Sequence, residues 1–199
     1  MVTIFIDRDG VINSNRSDHV KSWDEFEFLP GVLEALARLT KRGHSIIVVT
    51  NQAIIGRGIV SRDTVEEIHQ RMVSEVHRHG GRIDSVMVCP HDPLDGCFCR
   101  KPMPGLLTRA ELDRKADVHG AYFVGDFTTD AEAAVAVGST PILVRTGRGA
   151  RALRTMPPYL KRRCLTARNL ANAVEIIERL ERPKLKIGHH PYQAVGSDG

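Results

Sequence analysis

The strongest constraint on this 199-residue chain is an alternation between two residue periodicities. Short apolar, largely β-branched runs at Val2–Ile6, Ser45–Thr50, Ile83–Val88, Ala121–Val124 and Pro141–Val144 read as strands. Between them lie segments whose apolar residues recur at helical spacing. Gly31–Arg42 carries Val32, Leu33, Leu36 and Leu39 on one face, and Ser61–His79 is a long amphipathic segment with Ser61 placed as its N-cap. Pro104–Ala116, Asp130–Val137 (ended by Gly138) and Leu170–Leu180 complete the set. Strands alternating with helices predict an α/β fold, a Rossmann-like, doubly wound parallel sheet covered on both faces. No inserted stretch is long enough for a separate cap, so residues 1–182 are expected to form a single domain. Residues 183–199 lack periodicity and are expected to be a flexible tail.

A chain of this length buries roughly 70% of its unfolded surface, enough for a core without crosslinks. With 42% apolar and 26% charged residues the composition is globular rather than disordered. The longest apolar stretches are a handful of residues, against the ~20 that span a bilayer. Asp7, Arg8 and Asp9 break the first of them before it could serve as a secretion signal. A cytoplasmic protein with no membrane partner is expected. Lys and Arg number 28 against 24 Asp and Glu, a net charge of +4, which is a weak field for a polyanion. Aromatics are only 5%, too few for base-stacking platforms, so nucleic acid is not the expected partner. One basic run (Arg145, Arg148, Arg151, Arg154, Lys161–Arg163) reads as a solvated face, or as a surface for a second phosphate or a nucleic-acid backbone.

In an open parallel sheet, ligands bind beyond the carboxyl ends of the strands. Asp7 and Asp9 follow the first strand, Thr50, Asn51 and Gln52 end the second, and Gly125, Asp126 and Asp130 follow the fourth. Any one of these aspartates could be a turn or cap residue. Together they place carboxylates from separate strands at one edge, where they repel unless a cation sits among them. Hard oxygen ligands in an open site suit Mg²⁺.

Three of the four cysteines fall within one short loop. Cys89-Pro90-His91 and Cys97-Phe98-Cys99 supply three thiolates and an imidazole, a closed Cys₃His set of the kind that binds structural Zn²⁺. The loop runs directly into Arg100 and Lys101, so a metal there would position both cations. Cys164 stands alone, and His119, His189 and His190 read as surface residues.

Asp7-Arg8-Asp9-Gly10-Val11, Thr50-Asn51-Gln52, Lys101, and Gly125-Asp126 with Asp130 resemble the four ordered motifs of the haloacid dehalogenase superfamily of phosphatases. Cys97-Phe98-Cys99-Arg100-Lys101-Pro102 is similar to the zinc loop of its small capless branch. The resemblance spans residues 1 to about 150. It implies that Asp7 is a nucleophile forming an aspartyl-phosphate, and that Asp9 is the general acid and base. It also implies Mg²⁺ held by Asp7, the Asp9 main-chain carbonyl and Asp126. Thr50 and Lys101 would bind phosphoryl oxygens, while Asn51 and Arg100 orient the substrate.

Arg57, between Gly56 and Gly58 in a loop overhanging the site, is a further candidate for the substrate. Phe127 stands where related phosphatases usually carry Lys, which predicts a less cationic surrounding at that point. The implied substrate is a phosphorylated small molecule, first a sugar bisphosphate, D-glycero-D-manno-heptose 1,7-bisphosphate cleaved at the 7-phosphate, with histidinol phosphate as the alternative. From another class, a nucleic-acid-binding zinc module with an idle acidic site is the competing reading. A monomer is expected.

Overall fold

Strand side chains point alternately to the two faces of a sheet, so a strand apolar at every position must be covered on both sides. The computed structural model, which describes residues 1–182, has that arrangement. Its single sheet holds β1 (Thr3–Ile6), β2 (Ser45–Asn51), β3 (Ser85–Cys89), β4 (Tyr122–Gly125), β5 (Thr140–Val144) and β6 (Leu165–Ala167). All pairings are parallel, in the order β3-β2-β1-β4-β5-β6. Ile4, Ile6, Ile46 and Val48 face a core shared with α1 (Val32–Lys41), α3 (Arg62–Arg78) and α8 (Leu170–Leu180). Phe5, Ile47, Val49 and Phe123 face the other core, with Leu106 and Leu107 of α4 (Gly105–Arg114) and Ala133 and Ala134 of α5 (Thr128–Ala136). Each such fully buried aliphatic or aromatic side chain contributes about 1.5–3 kcal/mol. Short α2 (Ala53–Gly56), α6 (Gly149–Thr155) and α7 (Pro158–Lys161) fill connections.

The expected strands and long helices are present with ends shifted by no more than two residues, and Ser61 caps α3 through Oγ, which accepts from Thr64 N–H at 3.0 Å. Three features differ from the sequence reading. β6 is a sixth strand; only Ala167 of its three residues is buried, so it carries no apolar run to betray it. The basic run folds as α6 and α7, whose Ala152, Met156 and Leu160 pack on Leu143 while the cations stay in solvent. α5 begins at Thr128, which puts Asp130 inside its first turn. Residues 183–199, with His189 and His190, lie outside the described residues. No described helix is long and apolar enough to cross a membrane.

From β1 the chain winds outward through β2 to β3, then returns beside β1 and winds the other way through β4, β5 and β6. The reversal opens a crevice beyond the carboxyl ends of β1 and β4, the place where such sheets bind ligands.

Candidate active site

Asp7, directly after β1, lies at the floor of that crevice and is 6% exposed. Its Oδ1 accepts from the Arg8 main-chain N–H at 2.8 Å and pairs with Lys101 Nζ at 2.8 Å. Lys101, 4% exposed, comes from the loop between β3 and α4. Its ammonium also reaches Asp130 Oδ1 at 2.7 Å and the Val49 carbonyl at 2.8 Å, which occupies all three of its donors. Asp130 is locked in turn, because its Oδ2 accepts from the main-chain N–H groups of Asp126 and Phe127 at 3.2 and 2.9 Å. Burial pushes the Asp7 carboxyl up to about 7, with Asp130 and Asp126 adding to the rise and Lys101 opposing it. Burial alone would lower Lys101, but Asp130 and Asp7 outweigh it and hold the ammonium at about 12.

Asp126, after β4, is fully buried, and burial and Asp130 raise its carboxyl to about 6. Its Oδ2 accepts the Arg148 main-chain N–H at 2.7 Å. Gly10 and Gly147 close round that oxygen, both with positive φ (83° and 55°). A Cβ on either would come within 2.2 or 2.1 Å of it, so only glycine fits. The other oxygen, Oδ1, is buried without a hydrogen-bond partner among the described residues. Carboxylate oxygens of Asp7, Asp126 and Asp130 lie within 4.8 Å of one another. A lone buried oxygen among crowded carboxylates fits a hard divalent cation, which supplies the missing partner and offsets the repulsion.

The structure does not bring the Asp9 carboxylate into this group. Both its oxygens turn to the Arg8 guanidinium at 2.8 and 2.9 Å, with Asn13 Nδ2 at 2.9 Å and Gln52 Nε2 at 2.8 Å completing the shell. Burial opposes ionisation there, but Arg8, Asn13 and Gln52 together hold the carboxyl below its usual range. Asp9 still lines the cavity. Thr50, buried at the end of β2, accepts from Gln52 at 2.9 Å, so its own hydroxyl hydrogen is not used in that bond. The Asn51 amide embraces the main chain of Lys101, donating to its carbonyl and accepting from its N–H, each at 3.2 Å. Asn51 thus fixes the lysine loop as well as lining the cavity.

Above the floor, a cavity of about 840 Å³ is walled by the cysteine loop and by the segments after β1, β2 and β5. Cys89, Cys97 and Cys99 sulfurs stand 3.3–3.6 Å apart, and His91 Nδ1 lies 3.1 Å from Cys99 and 3.7 Å from Cys89. A tetrahedron with Zn–S of about 2.3 Å has edges of about 3.8 Å, so the four atoms are gathered closely enough to share one ion. Burial, with Cys89 and Cys97 alongside, pushes the Cys99 thiol up to about 12. The loop is pinned to the end of β2 by Gln52 N–H to Cys89 O and Gly56 N–H to Pro90 O, both 2.8 Å. Arg57 makes an ion pair with Asp92 of that loop, and Arg100 donates to the His91 carbonyl at 3.3 Å; both line the cavity. The weaker cationic surrounding expected at Phe127 is not found, because the Arg148 guanidinium lies 4.7 Å from the centre of its ring.

Gly147 and the roles of Arg8 and Asn13 are what the sequence reading missed, while Arg148 entered it only as part of the basic run and Gln52 only as a strand-end residue. The strand-end rule that found Asp7 and Asp126 points equally to Thr146, Gly147 and Arg148 after β5. Arg8, isolated between two aspartates in an otherwise apolar neighbourhood, carries no comparable signal.

A buried carboxylate paired with lysine, a second carboxylate with a bare oxygen and a third two residues along the chain from the first define a haloacid dehalogenase-type phosphatase. A HAD-hydrolase-like family profile matches residues 98–172. The D-glycero-beta-D-manno-heptose-1,7-bisphosphate 7-phosphatase of Pseudomonas putida is 41% identical over 158 residues, covering 79% of this chain and 90% of that protein. The enzyme of the same name from Pseudomonas aeruginosa is 43% identical over 75% of this chain and 84% of its own length. The crystal structure of the D,D-heptose 1,7-bisphosphate phosphatase of B. bronchiseptica, complexed with magnesium and phosphate, superposes with a TM-score of 0.84 at 37% identity, over 90% of this chain and 99% of that one. The chain belongs to this heptose bisphosphate phosphatase family of haloacid dehalogenase-like hydrolases, and it is a phosphatase.

Proposed function

We propose that the chain hydrolyses the 7-phosphate of D-glycero-β-D-manno-heptose 1,7-bisphosphate, the substrate named for its Pseudomonas relatives. The observation that carries the reading is the pairing of Asp7 with Lys101 beside the bare Oδ1 of Asp126. A free Asp7 oxygen attacks phosphorus, the bond from phosphorus to the sugar oxygen breaks, and Asp9 gives that oxygen a proton, which it must carry in the substrate complex although Arg8, Asn13 and Gln52 favour its ionised form. Asp9 then takes a proton from water, which attacks the aspartyl-phosphate, releases inorganic phosphate and regenerates Asp7. Asp7, Asp126 and the Asp9 carbonyl would hold Mg²⁺, whose charge offsets that of the carboxylates and the phosphoryl oxygens. The Thr50 hydroxyl is free to donate to a phosphoryl oxygen, and Lys101 reaches one by exchanging a present contact. Arg57, Arg100 and Arg148 line the cavity, which suits a second phosphate. Cys89, His91, Cys97 and Cys99 would hold Zn²⁺ and so fix Arg100 and Lys101.

A monomeric, cytoplasmic enzyme with residues 1–182 as its single domain is the form we propose, as the sequence reading expects. The test compares kcat/KM on both heptose bisphosphate anomers, histidinol phosphate and a 3′-phosphorylated oligonucleotide, with Asp7→Asn as control. Preference for the β-anomer, lost in Asp7→Asn, is expected. A higher kcat/KM on histidinol phosphate or the oligonucleotide would overturn the substrate, and full turnover by Asp7→Asn would overturn the mechanism.

A further inference from the structure

The Asp9 carboxylate is held from behind by one guanidinium, and that guanidinium leans on a residue 61 positions away. Arg8 is 1% exposed, so its N–H groups find partners inside the protein or nowhere. Nε and Nη2 face Asp9, Nη1 lies 3.1 Å from His69 Nε2, and the Phe26 ring lies beneath the guanidinium at 6.0 Å. Arginine only donates, so His69 Nε2 must present its lone pair. The imidazole is therefore neutral and carries its hydrogen on Nδ1.

His69 belongs to the buried stripe of α3 with Val65, Ile68, Met72 and Val76, positions that an aliphatic side chain fills more readily. Among the described residues its Nδ1 has no hydrogen-bond partner and its one polar contact is Arg8, so the ring is kept in the core at a cost. Burial, with Arg8 nearby, holds the imidazole down at about 3, far from the protonated form that would repel the guanidinium.

We propose that His69 is a positioning residue for proton transfer: by accepting from Arg8 Nη1 it fixes the guanidinium, and through it the Asp9 carboxylate. The inference rests on Asp9 being the acid and base. It accounts for a polar residue in the core of α3 that belongs to neither candidate metal site and does not line the cavity above Asp7.

The test uses the full chain with Mg²⁺ and three variants, His69→Gln, His69→Asn and His69→Leu, beside Asp9→Asn. Glutamine extends an acceptor about as far as Nε2, asparagine has the same amide one carbon shorter, and leucine has no acceptor. Each is assayed on the heptose bisphosphate, whose alkoxide must be protonated as it leaves, and by the burst of p-nitrophenolate from p-nitrophenyl phosphate, whose leaving group needs no proton. On the sugar substrate, His69→Asn and His69→Leu are expected to lose about tenfold or more in kcat with KM little changed. His69→Gln keeps most of the rate, and all three keep the burst. Equal rates for the glutamine and asparagine variants, or a burst lost in parallel with sugar turnover, would overturn the proposal even if the leucine variant fails to fold. Full turnover by Asp9→Asn would instead show that the reading of Asp9 is wrong, and the role of His69 would fall with it.

Discussion

Replacing Lys101 by methionine removes one charge from the floor of the site while keeping a long unbranched stem against the Phe123 ring, which now lies 5.4 Å from Nζ. Asp7 and Asp130 are left buried and facing each other without their shared cation. Breaking a buried ion pair from one side costs about 3–5 kcal/mol. At about 2–4 °C per kcal/mol for a domain of this size, the melting temperature should fall by about 6–20 °C. The sign of the pH dependence follows from Asp7, already raised to about 7 with Lys101 in place and raised further without it. The folded protein then keeps a proton that the unfolded chain gives up near its ordinary value, so stability is present at low pH and lost as pH rises through the folded value. The deficit of Lys101→Met relative to wild type should be smallest near about pH 5 and largest near about pH 8. Added Mg²⁺ should restore part of it at the higher pH. The assay is thermal melting followed by circular dichroism, in magnesium-free buffer and again with Mg²⁺. A deficit of the same size at both pH values, indifferent to Mg²⁺, would refute the reasoning, because the loss would then be one of packing and not of charge.

Two further outcomes follow from the geometry. Cys99→Ser should bind less than one zinc per chain by atomic absorption and lose about 10–100-fold in turnover, since the loop it closes carries Arg100 and Lys101. Gly147→Ala would press a Cβ to 2.1 Å from Asp126 Oδ2 and 2.6 Å from the Gly10 Cα, at a φ of 55°. Its activity should need more Mg²⁺ for half-saturation, and an unchanged magnesium titration would show that the cradle round Asp126 does not set metal affinity.

What the sequence disclosed of the site is what local rules reach. Asp7, Thr50 and Asp126 were legible because each ends or follows an apolar run, and a parallel sheet aligns those ends whatever the strand order. The cysteine cluster was legible from its spacing together with the resemblance to the zinc loop of the capless branch. Partnerships were not: Asn51 stands at a strand end in the sequence, but only the fold shows its amide closed on the main chain of Lys101, 50 positions on. The shift of α5 has the same root. Asp130 was seen as an acid beyond a strand, whereas in the structure one oxygen serves the helix terminus and the other serves Lys101. β6 escaped because its pairing with β5 is a main-chain matter, and two of its three side chains face solvent.

The electrostatics of the floor explain why these parts must occur together. Asp7, Asp126 and Asp130 against the single ammonium of Lys101 would leave two negative charges in excess if all were ionised. Burial first, and then the neighbouring carboxylates, raise the carboxyls to about 7 at Asp7 and about 6 at Asp126. A protonated Asp7 is no nucleophile. On the proposed reading, a divalent cation held by Asp7 and Asp126 would bring the count to neutrality and favour the ionised Asp7. The Thr50 hydroxyl and Lys101 would meet the reacting phosphoryl group at the floor, and the positive charges left for a second phosphate are those along the walls, Arg100, Arg148 and Arg57. The zinc loop presents the first of these, β5 delivers the second, and the ion pair with Asp92 ties the third to that same loop. Substrate charge is thus met by the most variable part of such a fold and reaction charge by its sheet, which lets loops select the sugar while the strands keep the chemistry.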